Sequence, residues 1–288
     1  MPLQLAGGLQ KKQTFPPQRH CAAVPFIAIK GDCFIMKPNI KVLNGNMLKI
    51  IAAILMVVDH VGLMFFPQHI VFRIIGRLSF PIFAFMIAEG ARYTRNKAKY
   101  ILMIGGLGFI CQLAYFLFAN DLYMCILVTF TLSIAMIYAL QYFKKCLFST
   151  DISILPKILS GILFIATVAA VYALNIYLQS DYGFYGCMVP DCASFFDFRG
   201  IDLHEKCKWL DSVYLRIGGL AVGLCLLAFS LQGFGFGGIQ WFSLLSILIL
   251  LCYSGERGRV NLKYFFYIFY PAHLVLLEGI AILLMILK

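Results

Sequence analysis

The sequence predicts an all-α fold, a polytopic bundle of about nine transmembrane helices with one broken span. Three observations carry that reading. Hydrophobic residues make up 61% of the chain and charged residues 13%, against about 45–50% and 25% in soluble globular proteins. Apolar runs recur along most of the chain, each close to the roughly 20 residues a spanning helix needs. No segment of about 10 residues alternates apolar and polar positions as the strands of a membrane β-barrel do.

The elements follow in chain order. Residues 1–46 differ from what comes after. Lys11, Lys12 and Arg19 precede a short apolar run, "CAAVPFIAIK", which Pro25 interrupts and no small-residue cleavage site follows. This stretch reads as a mobile cytoplasmic tail, with Met36 and Met47 as alternative downstream starts, and residues 47–288 as the transmembrane domain. Helices are expected near 47–66, 71–91, 99–119, 122–142, 156–178, 182–196, 212–231, 239–254 and 263–285. Loop charge sets their direction. The loops "ARYTRNKAK" (91–99), "KK" (144–145) and "GERGRVNLK" (255–263) are basic and should face the cytoplasm. Those at 67–70, 119–122, 179–183 and 232–238 carry no Lys or Arg and should face outward.

These directions alternate only if 182–196 crosses the membrane. Gly183, Gly186, Pro190 and Asp191 make that segment a poor regular helix. It reads as a broken span lining a polar cavity, the setting in which irregular backbone is tolerated at membrane depth. The count leaves the amino terminus on the cytoplasmic side of a bacterial cytoplasmic membrane and the carboxyl terminus outside.

The net charge of +11 is accounted for by these basic loops, so nucleic acid is not an expected partner. The ten cysteines are scattered without a CxxC pair and read as small buried hydrophobes. A Cys187–Cys192 bridge is the less favoured reading. No nucleotide-binding glycine loop, zinc motif or serine-nucleophile elbow is visible, and no metal is expected.

One stretch, "ILMVVDHVGLMFF" (54–66), places Asp59 and His60 side by side in a helix apolar enough for lipid. An ionisable group there is costly unless it pairs or works. His60 lies about 18 Å along the first helix from Leu48, just beyond the midplane of a core of about 30 Å. Arg73 and Arg77 share a face of the returning helix, Asp181 and Tyr182 open the broken span, and His273 and Glu278 lie on the last helix. All fall in one outer-half layer, where convergence would make a polar cavity.

Plainer readings stand beside this one. His60 could join helices as a buried hydrogen-bonded group. Positions i and i+1 do not share a helix face, so Asp59 could instead neutralise Arg73 or Arg77. Arg73 could snorkel to the surface. Glu89 and Arg92, at i and i+3, read equally as a stabilising ion pair or as a site. "IGGLAVG" (217–223) supplies small residues for close helix packing. Pro271 marks a kink that would open space at His273.

Four blocks in order, "LKIIAAILMVVDHVG" (48–62), "FRIIGRLSFPIFAFMIAEGARYTRN" (72–96), "DYGFYG" (181–186) and "KYFFYIFYPAHLVLLEGI" (263–280), resemble the TraX family from about Asn44 to the carboxyl end. The resemblance implies a membrane acetyltransferase whose named activity is acetylation of the amino terminus of conjugative pilin. It is similar to a broader set of multi-spanning acyltransferases, some acting on cell-surface sugars, that draw on cytoplasmic acetyl-CoA and use a histidine in an early helix. That histidine would be His60, with Arg73, Arg77, Asp181 and Tyr182 as site members. The acceptor would be a pilin-like peptide or a surface sugar.

The residues suit the chemistry independently. Histidine can take a proton from an attacking amine or hydroxyl at working pH, or hold the acyl group itself. Arg77 could stabilise the developing oxyanion. Asp59 and Asp181 are grouped with these catalytic candidates, and Arg73, Tyr182, His273 and Glu278 are candidate substrate contacts. Arg92, Arg95, Lys97 and Lys99 are candidate contacts for the CoA phosphates, although the positive-inside rule alone also demands them. Two rival readings are a secondary transporter, against which stands the lack of an internal repeat, and a noncatalytic membrane partner of a pilus or secretion assembly.

Overall fold

In the computed structural model the described residues are 42–119, 124–201, 205–232, 238–260 and 262–287. Most of the predicted amino-terminal tail, and parts of the loops at 119–122 and 232–238, lie outside them. The described residues form α1 (Gly45–Phe65), α2 (Ile70–Gly76), α3 (Ser79–Tyr93), α4 (Lys97–Ala119), α5 (Ile126–Phe148) and α6 (Ile154–Leu178). They continue with α7 (Gly183–Ser194), a 3₁₀ helix at Glu205–Asp211, α8 (Val213–Gln232), a second 3₁₀ helix at Ile239–Leu245, α9 (Ser246–Leu251) and α10 (Lys263–Ile286). Among the described residues, β pairing is limited to two isolated bridges, Leu43 with Tyr253 and Met124 with Ser180. The protein is an all-α polytopic transmembrane bundle. Among the described residues, seven helical segments, counting α2 and α3 as one, are long and apolar enough to cross a membrane.

Contacts between chain ends establish the back-and-forth course. At one end, the Gly45 N–H donates to the Glu256 carbonyl (2.7 Å), the Tyr253 hydroxyl to Glu89 (3.2 Å), and Arg92 to Asp197 and Asp211. The starts of α1 and α8 and the ends of α3, α7 and α9 therefore gather there, together with most of the basic residues. At the other, the Asp181 N–H donates to the Met124 carbonyl (3.0 Å) and Arg77 to Tyr182 (2.9 Å).

The segment expected as a broken span thus runs from one end to the other, but as one continuous helix, α7, with Pro190 inside it, and only Asp181 and Tyr182 at its start line the cavity. Its helix holds 12 residues, a rise of about 18 Å, and turns and a loop complete the crossing. A second short crossing departs from the regular span expected over 239–254. There a 3₁₀ helix beside α2 leads into α9 and stops at Leu251. The steeper rise of the 3₁₀ turns brings the pair to about 23 Å, the length of about fifteen α-helical residues.

The core lies among α1, α3, α5, α7 and α8, where Leu48, Phe85, Ile134, Val189, Leu220 and Leu224 are fully buried. Side chains of α6 and α10 point largely outward. Small residues make the α7–α8 contact: a Cβ at Gly219 would lie 2.3 Å from the Cys192 carbonyl oxygen. Lys144, buried at the end of α5, donates to the carbonyls of Ser194 and Phe195 (both 3.0 Å) and Asp197 (2.5 Å). It thereby satisfies carbonyls left open at the end of α7 and places a cation at that helix's negative end. Cys187 and Cys192 are free thiols on one helix, not a bridge.

Candidate functional site

A single cavity of about 720 Å³ runs inside the bundle from the basic end to Asp59, His60, Asp181 and Tyr182. That size falls within the roughly 300–1,000 Å³ of small-molecule sites. Its walls are mainly aromatic and aliphatic, with polar groups concentrated at its two ends.

The basic rim is built by the start of α1. Asn44 caps the helix, its side chain accepting from the N–H groups of Asn46 (3.1 Å) and Met47 (3.0 Å). The next free donors hold the loop before α10. The Gly45 N–H reaches Glu256, the Asn46 N–H reaches the Arg257 carbonyl (3.1 Å), and the Asn46 side-chain amide reaches the Val260 carbonyl (2.5 Å). This clip sets Arg257 close enough to Lys49 for the two to repel. Both line the cavity, as does Lys99 from the first turn of α4. Three cations from three parts of the chain therefore converge on one opening.

At the deep end His60 lines the cavity, its Nδ1 2.9 Å from the Met56 carbonyl oxygen. A carbonyl only accepts, so Nδ1 carries the hydrogen and the neutral ring keeps its lone pair on Nε2. Asp59 does not orient His60. It pairs with Arg73 at 2.8 Å, and Gly76 permits the approach, since a Cβ there would lie 2.2 Å from the Asp59 carboxylate. Arg77 stands at the break between α2 and α3 and donates to the Tyr182 hydroxyl. Tyr182 takes a left-handed φ of 61° to start α7 and stacks on Phe80 at 4.2 Å. The Asp181 carbonyl accepts from Thr129 (2.7 Å).

The structure divides the predicted residues. Asp59, His60, Asp181, Tyr182 and Lys99 line the cavity, and Arg73 and Arg77 stand directly behind them through their partners. His273 is 5% exposed and packs against the His60 ring rather than in the cavity wall. Glu278 is exposed on α10 and away from the cavity.

Arg92 is not a free cation at the rim. Its guanidinium grips Asp211 with two bonds (2.6 and 2.7 Å) and also pairs with Asp197. Burial would raise the Asp211 carboxyl, but the hydrogen bonds from Arg92 and the Phe198 N–H outweigh it and hold it below its ordinary value. The Glu89–Arg92 ion pair, one of the two readings of that spacing, does not form, because Glu89 is taken by Arg216 and Tyr253. Arg92 gains a forked pair with Asp211 and Glu89 a buried pair with Arg216, both from the α8 region. Lys97 lies over the Tyr138 ring at 5.0 Å, and Arg95 is exposed. Lys49 and Arg257 were missed as site residues. Both read as ordinary boundary charges until the clip at Asn46 brings them together.

The family model described as TraX protein matches residues 44–281. A protein named probable fimbrial assembly protein FimC, serogroup H1, from Dichelobacter nodosus is 29% identical over 245 residues, covering 80% of this chain and 92% of that protein. An uncharacterized protein, RP591, from Rickettsia prowazekii (strain Madrid E) is 33% identical over 105 residues, 36% of this chain and 39% of that protein. No solved structure matches.

Proposed function

The chain belongs to the TraX family, and we propose that it is a membrane acetyltransferase that takes acetyl from cytoplasmic acetyl-CoA at its basic end. The acceptor meets the acetyl group at His60, and is an amine of a pilin-like protein or a hydroxyl of a surface sugar. The fimbrial name of the Dichelobacter relative favours the pilin-like acceptor.

One observation carries this reading: a single cavity joins the cationic rim to His60. Lys49 and His60 are about 16 Å apart along α1, comparable to the reach of an extended pantetheine arm. Phosphates held by Lys49, Lys99 and Arg257 would leave the thioester near the imidazole, and the apolar walls suit the arm between. His60 Nε2 takes the proton as the acceptor attacks the carbonyl carbon, and the C–S bond breaks. Arg77, behind Tyr182, supplies positive potential where charge develops on the carbonyl oxygen. The positive-inside rule assigns the basic end to the cytoplasm.

The test uses purified protein in liposomes with radiolabelled acetyl-CoA and a pilin-like peptide or surface glycan. Label should appear on the acceptor. His60→Ala should lower the rate by about 10²–10⁴, the usual worth of acid–base catalysis, without loss of folded protein. A protein that moves solute across the membrane and labels nothing would instead be a transporter.

A further inference from the structure

We propose that His273 is a positioning residue for His60: the proton that His60 takes from the acceptor is held between the Nε2 atoms of the two imidazoles until the leaving thiolate takes it. This rests on the acyl-transfer reading above. The two ring centroids lie 5.2 Å apart, inclined by 54°, which is contact distance for aromatic rings. Each Nδ1 is spent on its own helix, His60 on the Met56 carbonyl (2.9 Å) and His273 on the Phe269 carbonyl (3.0 Å). Nε2, bearing the lone pair, is therefore the nitrogen each ring has to offer. His273 Nε2 is buried and has no hydrogen-bond partner. Such an atom is costly in a packed interior and calls for an explanation.

The surroundings show why His60 needs this partner. A proton on a buried imidazole requires an acceptor or counter-charge. Asp59 lines the same cavity, but its carboxylate is paired with Arg73 rather than hydrogen-bonded to His60. Arg77 donates to Tyr182, and Asp181 approaches from the start of α7. On α10, Phe269 stacks on His273 at 5.2 Å and Tyr270 meets its edge at 5.8 Å, so the aromatic enclosure keeps water from Nε2. His273 stands outside the cavity wall, so its effect must pass through His60.

The step balances. The acceptor's N–H or O–H bond breaks as its new bond to the acyl carbon forms, and the proton moves to His60 Nε2. The C–S bond breaks, and the thiolate takes the proton shared by the two rings. Donor and acceptor have become acylated acceptor and free thiol, and both imidazoles are neutral again.

His273→Asn is the informative variant, because its amide can still donate to the Phe269 carbonyl while Nε2 is gone. It should lower kcat about tenfold or more, leave KM for acetyl-CoA unchanged, and move the acid limb of the kcat profile to lower pH, because an imidazolium without its acceptor is a stronger acid. Nitrogen-15 NMR of histidine-labelled protein in lipid nanodiscs gives a readout free of any acyl donor. The two rings should titrate as a coupled pair, with two macroscopic steps. Rings that titrate independently, or an Asn variant with wild-type kcat and pH profile, would overturn the proposal. A wild-type protein that transfers no acetyl but shows the coupled titration would sink the transferase reading and leave the shared proton standing.

Discussion

Asp59 and His60 are neighbours in sequence with separate tasks. Both line the cavity, but the carboxylate closes the α1–α2 contact with Arg73, while the imidazole keeps Nε2 unspent. The same separation of tasks divides the basic residues. Lys49, Lys99 and Arg257 line the rim, so replacing all three by Gln should raise KM for acetyl-CoA and leave kcat nearly unchanged, the pattern of lost uniform binding. The effect should shrink as salt rises, since exposed charges are screened over about 8–10 Å at 0.1–0.15 M. An unchanged KM would remove the rim from donor binding. Arg92→Gln should behave differently. Its side chain is 9% exposed and that of Asp197 6%, so the variant strands the buried Asp197 carboxylate at a cost of about 3–5 kcal/mol. A large fall in thermal stability with normal KM in the folded fraction is expected. His60 was legible in the sequence because an ionisable group in an apolar run stands out by its cost. The partners of Arg92 were not, because Asp197 and Asp211 are more than a hundred residues away and composition carries no record of who meets whom.

Among the elements, the long helices follow from hydropathy, which needs only local sequence, but the span expected over 71–91 breaks at Arg77 into α2 and α3, and the one expected over 122–142 runs Ile126–Phe148. The two short crossings are harder. Gly183, Gly186 and Pro190 flagged the first as irregular. Nothing comparable marks 239–251, where the 3₁₀ start is imposed by packing on α2 and α8. The role of "IGGLAVG" as a packing surface is visible in detail. Gly219 faces the α7 backbone at Cys192, whereas a Cβ at its neighbour Gly218 would meet no atom within 4 Å. Gly219→Ala should therefore lose about 1–3 kcal/mol through overpacking, and Gly218→Ala should be neutral or mildly stabilising. Thermal melts of the two variants in one detergent decide the point; equal melts would contradict the assigned helix face.

At the scale of the whole molecule, alternation of basic and uncharged loops agrees with the contacts that gather the ends of α3, α7 and α9 with the start of α1. The cavity follows that polarity, since its cationic opening lies at the basic end and His60 lies deep. The polar end of that cavity is expected from the depth of His60 and Asp181, but its cationic rim could not be read from the sequence, because it comes from a loop clipped onto α1. The account stands or falls on sidedness. In sealed vesicles of verified orientation, with acetyl-CoA supplied to one face only, acetyl should reach the acceptor when the donor is on the face carrying Lys49, Lys99 and Arg257. Transfer with the donor confined to the opposite face, in membranes shown to be tight, would contradict it.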